Sequence, residues 1–107
     1  MRPRASVIGL LIACLLVTTG CGGPPQMAGN EECMTAADAL WTAVNKKRTD
    51  LVDTSAAEID RLSKAGTMPE AAYKELSEII TTARAGEWAD ARASLKSFIR
   101  GQRPAPR

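Results

Sequence analysis

The chain has 107 residues, with Lys+Arg 14, Asp+Glu 12 and no His, so it holds one small domain at most and carries little net charge. That balance gives no support to a strongly basic nucleic-acid binder, and no nucleic-acid partner is expected. With no His and only three Cys, most metal-site and nucleophile–base chemistry is removed, and no cofactor is expected.

Met1-Arg2-Pro3-Arg4 is a short basic head, and the run from Ala5 to Val17 is apolar and uncharged. At about 13 residues this run fits the apolar region of an export signal and falls short of the roughly 20 that a spanning helix needs. The basic head stays on the cytoplasmic side, so the segment inserts with its C-terminal end across the membrane. Thr18-Thr19-Gly20 then places small residues directly before Cys21. The stretch Leu15-Leu16-Val17-Thr18-Thr19-Gly20-Cys21 resembles a lipobox, the processing site of bacterial lipoproteins. Thr18 departs from the Leu most often found there. The resemblance implies diacylglyceryl transfer to the Cys21 thiol, cleavage between Gly20 and Cys21, and acyl chains such as palmitate as an envelope-membrane anchor. Two or three such chains hold far more firmly than one. Gly22 stands where Asp would signal inner-membrane retention, which favours the outer membrane in a cell that has one. The plain alternative is a secretory signal cleaved without lipidation.

Removal of residues 1–20 takes Arg2 and Arg4 away and leaves 12 basic against 12 acidic residues. Cys14 leaves with the signal, so Cys33 becomes the one thiol beyond Cys21. It reads as a small apolar helix residue, half-buried, or else as a free thiol or half of an intermolecular bridge. Residues 21–29, with Gly22-Gly23-Pro24-Pro25, lack apolar periodicity and read as the lipidated Cys and a flexible linker.

Four helices are expected over residues 30–100. Asn30 is a good N-cap, Glu31 and Glu32 suit the positive end of a helix dipole, and Met34, Ala37, Leu40, Trp41 and Val44 follow at helical spacing. Lys46-Lys47-Arg48 closes that helix, with a turn near Thr49-Asp50. The second helix carries Val52, Ala56, Ile59 and Leu62 on one face and stops at Gly66. The third starts with Pro69 at its first helical position and Met68 as cap, and its face is Tyr73, Leu76, Ile79, Ile80 and Ala83. After Ala85-Gly86, the fourth carries Trp88, Ala91, Leu95, Phe98 and Ile99 and ends at Gly101. Residues 101–107 form a frayed, disordered tail.

The two halves match weakly at an offset of about 36 residues, a spacing of helix-pair repeats. Leu40 then meets Leu76, Val44 meets Ile80, Arg48 meets Arg84, Ile59 meets Leu95 and Leu62 meets Phe98. Neither helix pair hides its apolar face alone. The expected fold is therefore all-α, with two antiparallel helical hairpins packed as a small four-helix bundle. Leu62-Ser63-Lys64-Ala65-Gly66-Thr67-Met68-Pro69, with Leu76, Ala85-Gly86-Glu87-Trp88-Ala89-Asp90-Ala91 and Leu95, resembles the helical domain of steroid receptor RNA activator proteins. A related domain ends an outer subunit of the COPII vesicle coat. The Gly-Glu-Trp-Ala-Asp-Ala piece is also similar to a tetratricopeptide turn. These resemblances imply helix pairs that work through protein contacts without catalysis.

Trp41 and Trp88 are the largest apolar groups, suited to core packing or to a partner contact. Arg92, Lys96 and Arg100 recur every four residues and share one helix face, either a solvated face or a site for lipid headgroups or an anionic envelope polymer. Glu75 and Glu78 are neighbours, but a catalytic acid pair needs a cleft that separates their pKa values. Ordinary i,i+4 pairing is expected for Glu70–Lys74 and Asp60–Lys64. The sequence thus points to a membrane-anchored lipoprotein, not an enzyme, whose helical module binds or braces an envelope protein or self-associates. The alternative is a binder of anionic polymer or headgroups through the basic fourth helix.

Overall fold

Three chain reversals set the architecture, and all three are built alike. In the computed structural model, which describes residues 24–27 and 29–102, the helices are α1 (Glu31–Asn45), α2 (Thr49–Lys64), α3 (Glu70–Arg84) and α4 (Trp88–Arg100). Each of α1 to α3 ends in a residue with left-handed backbone, Lys47 (φ 54°), Gly66 (φ 77°) and Gly86 (φ 82°). The same two hydrogen bonds recur around each. Lys47, Gly66 and Gly86 donate their N–H to the carbonyls of Val44, Ser63 and Ala83, and the next residues donate to Ala43, Leu62 and Thr82. This is the Schellman arrangement, which satisfies carbonyls left over at a helix end. Glycine adopts its left-handed position freely, whereas Lys47 pays a steric penalty of about 1–2 kcal/mol there.

The helix starts are less uniform. Asn30 caps α1, its side chain accepting from Cys33 N at 3.0 Å, as the sequence leads one to expect. The start of α3 falls one residue later than expected: Glu70 is the first helical residue and Pro69 is the cap, with ψ 144°. Met68 turns inward instead and is buried. The turn before α2 also sits earlier, on Lys46–Arg48, and Thr49 is already helical.

Such short connections force antiparallel neighbours. Each helix packs on its chain neighbours, and α4 closes back on α1. The result is the small four-helix bundle made from two helical hairpins. No strand occurs among the described residues. Its core includes Leu40, Ile59, Leu62, Leu76, Leu95 and Phe98, and each such side chain contributes about 1.5–3 kcal/mol by leaving water. Cys33 is fully buried rather than half-buried, and its thiol donates to Thr67 O at 3.7 Å. Burial, and then the charge of Glu32, push its pKa up, which makes it a poor nucleophile.

The repeat is present, in a different register. Helix starts Glu31 and Glu70 are 39 residues apart, and so are Thr49 and Trp88. At that offset Cys33 matches Ala72, Ala37 matches Leu76, Leu40 matches Ile79, Val44 matches Ala83 and Ile59 matches Phe98, every one buried. The offset of about 36 is wrong by close to one helical turn of 3.6 residues. An amphipathic helix shifted by one turn still matches itself, so apolar spacing alone did not reveal the slip.

The segment before α1 departs most from expectation. Met27, placed in the flexible linker by its sequence, is fully buried beneath the bundle. Gln102, placed in the frayed tail, holds it there. Its side-chain amide accepts from Met27 N at 2.7 Å and donates to Pro25 O at 2.8 Å. Gln26 Nε2 donates to Gly101 O at 2.8 Å. The packed body therefore extends beyond 30–100 to include Pro24–Met27 and Gly101–Gln102. The signal expected at 1–20, Cys21 with Gly22-Gly23, and the tail expected from Arg103 onward lie outside the described residues. No helix among the described residues is long and apolar enough to cross a membrane.

Candidate interaction face

The offset of 39 pairs the two inter-hairpin seams as well as the helices. The α2/α3 seam and the α1/α4 seam are built from matching positions, so their differences can be compared residue by residue.

The α2/α3 seam is closed by polar pairs. Tyr73 OH donates to Asp60 Oδ1 at 2.6 Å, and Arg84 donates to Asp53 Oδ1 from Nη2 at 2.8 Å and from Nε at 3.1 Å. The Asp60 hydrogen bond is the main cause that raises the Tyr73 pKa. A groove of about 230 Å³ between these pairs is lined mostly by the residues that make them or flank them.

The α1/α4 seam has none of this. The position matching Asp53 is Arg92, and the one matching Arg84 is Asn45. Ile99 replaces Asp60, and Met34 replaces Tyr73. Along this seam lie two grooves. One, of about 150 Å³, is lined by Val44, Asn45, Lys47, Trp88, Ala89 and Arg92. The other, of about 220 Å³, is lined by Asp38, Trp41, Lys96, Ile99 and Arg100. All five residues singled out in the sequence for partner contact thus share one face: Trp41, Trp88, Arg92, Lys96 and Arg100. Both Trp side chains are half-buried, packed on the core with one edge in solvent. The three cations are exposed.

The arginines of the first three helices and their turns are paired. Arg48 binds Asp50 at 2.7 Å, Arg61 binds Glu58 at 2.7 Å and Glu32 at 3.3 Å, and Arg84 binds Asp53. Among the described residues, Arg92 and Arg100 are the arginines that form no ion pair, and none of the lysines, Lys47 and Lys96 on this face included, forms one. The expected pairs Glu70–Lys74 and Asp60–Lys64 are also not among those formed, and Asp60 is taken by Tyr73. Glu75 and Glu78 line none of the grooves along the two seams. Asp38 and Lys47 were not singled out from sequence. Lys47 reaches the face because its left-handed turn lies beside Trp88, a placement with no local signal.

An aromatic-edged, cationic strip with shallow grooves suits binding of a large surface rather than enclosure of a small molecule. No group of three His, Cys, Asp or Glu side chains able to hold a metal occurs among the described residues. Comparison with protein-family models, with curated proteins and with solved structures finds no match for this chain.

Proposed function

We propose that the chain is a bacterial envelope lipoprotein. It is exported by residues 1–20 and anchored through an acylated Cys21, in the outer membrane where the cell has one. Its four-helix bundle works as a non-catalytic protein-interaction module. The lipobox-like stretch before Cys21 supports the anchor, and one observation supports the interaction role above all. Of two matching seams, α2/α3 is closed by its own polar pairs, whereas α1/α4 presents two Trp edges and unpaired cations. Aromatic anchors beside Arg are the side chains most enriched where proteins bind each other tightly. A photo-cross-linking residue at Ala89, on the open seam, should give a discrete adduct in intact envelopes. The same residue at Thr81, on the closed seam, should give none. Equal labelling from both seams refutes the assignment. Fatty-acid labelling that survives Cys21→Ser refutes the anchor.

The unpaired state of Arg92, Lys96 and Arg100 favours a second reading, in which the face holds an anionic envelope polymer or lipid headgroups. Binding then fades with salt and drops when the three are neutralised together. Salt-independent binding excludes it.

A further inference from the structure

The segment Pro24–Met27 does more than connect. It lies across the end of the bundle where α4 finishes, and three features fix it. The Met27 side chain is fully buried. The Gln102 amide grips the segment's backbone twice, accepting from Met27 N and donating to Pro25 O, while also donating to Phe98 O at 3.0 Å. The Pro24 ring lies so close to Gly101 that a Cβ at 101 would collide with it. Met27 O then accepts from Asn30 N at 3.1 Å, with Gly29 at φ 69°, which turns the chain straight into α1.

We propose that this segment is a clasp that orients the bundle on the bilayer, making the end that carries Gln102 and the 65–69 turn the one nearest the lipid headgroups. The proposal rests on Cys21 as the anchor point. A free linker over residues 22–29 would have a root-mean-square reach of about 16 Å and would impose no orientation. With Pro24 fixed, only three peptide links separate it from Cys21, a reach of at most about 11 Å. A helix of this bundle is about 20–24 Å long. The clasped end therefore cannot move far from the membrane. The opposite end, with the turns at Lys47 and Gly86, lies a helix length further from the anchor point. The α1/α4 face then runs along the side of the bundle, where a partner standing on the same membrane meets it.

The test uses nanodiscs of phosphatidylcholine carrying a gadolinium-chelating headgroup lipid, with amide signals of the anchored protein as the readout. One sample carries its native acylation. A second is coupled to a maleimide lipid through Cys21, Cys33 being buried and unreactive. Gly66, Thr67 and Gln102 should be broadened severalfold more than Lys47 and Gly86. Gln102→Ala, which leaves the core intact, and Met27→Asp, which removes the buried plug, should each flatten that gradient. Equal broadening at both ends of the unaltered protein overturns the proposal, as does a gradient that survives in both variants. A gradient in the maleimide-coupled sample upholds the clasp even if cell-derived protein carries no acyl chain, an outcome that would overturn only the anchor.

Discussion

Gly101→Ala separates a docked segment from a free one by the sign of its effect. Gly101 closes α4 with φ −82°, an ordinary conformation for any residue. On backbone grounds alone, Ala there should stabilise the fold by about 0.4–1 kcal/mol, because it restricts the unfolded chain. The structure says otherwise. An added Cβ would collide with Cγ of Pro24 and come within 2.8 Å of its Cδ, and it would meet Ser97 O at 3.2 Å. The Pro24 ring is no flexible tip, so the clasp must shift, and overpacking of this kind costs about 1–3 kcal/mol. The expected net effect is a loss of about 1–2 kcal/mol in urea unfolding followed by Trp fluorescence. Pro24→Gly removes the ring and leaves only the milder Ser97 contact. In that background Gly101→Ala should cost little or become favourable, a coupling of about 1–2 kcal/mol between the sites. Stabilisation by Gly101→Ala with Pro24 present, or the same effect in both backgrounds, would refute the docked geometry.

Lys47→Gly relieves the left-handed strain at the first turn and should stabilise the bundle by about 1 kcal/mol, whereas Gly66→Ala should destabilise it by a similar amount despite open space around its Cβ, both read from urea midpoints. Arg48 holds the Asp50 carboxyl below its ordinary range, chiefly by hydrogen bonding, and Arg61 does the same for Glu58. Depressed carboxyl pKa values stabilise the fold above about pH 4.5, so the melting temperature should fall as pH drops from about 5 toward 3, and less so in Arg61→Gln. Tyr73 is shifted upward by Asp60, so its contribution is present below about pH 10 and is lost as pH rises further, which a Tyr73→Phe comparison by circular dichroism should reveal. Asn45→Arg with Arg92→Asp writes the pair of the closed seam into the open one, which should change stability by less than about 1 kcal/mol while abolishing the Ala89 adduct.

Most of the fold is written locally. Asn30, Gly66, Gly86 and Gly101 punctuate the chain, and between them the apolar spacing is helical. The elements that were not legible depend on distant partners. Pro24–Met27 has the composition of a spacer, and only the amide of Gln102 and the space beneath α4 give it a place. Lys47 carries a turn that glycine usually marks. Asp60 has Lys64 at the favourable helical spacing and instead meets Tyr73 from the next helix. At the candidate face, Trp41, Trp88, Arg92, Lys96 and Arg100 were visible as residue types. Their assembly was not, because it requires α4 to close against α1, the helix pair furthest apart in the chain.

Stability alone does not explain why the two seams differ. Exposed pairs such as Arg84–Asp53 contribute about 0–1 kcal/mol, so their replacement on the α1/α4 side forfeits little. Trp41 and Trp88 more than offset that loss through apolar area packed on the core. What the exchange leaves behind is charge. Arg92, Lys96 and Arg100 stand one helical turn apart, an arrangement that is mildly self-repulsive within α4. Lys47 adds a fourth cation, and Asp38 is the acidic residue that lines the same grooves. A surface that brings carboxylates or phosphates to the rim and an apolar group to the Trp edges relieves that repulsion and covers the indoles in one contact. The α2/α3 seam offers a partner no such gain, because Asp53 and Asp60 already neutralise Arg84 and engage Tyr73. On the proposed reading, binding energy is therefore concentrated on the α1/α4 side of the bundle.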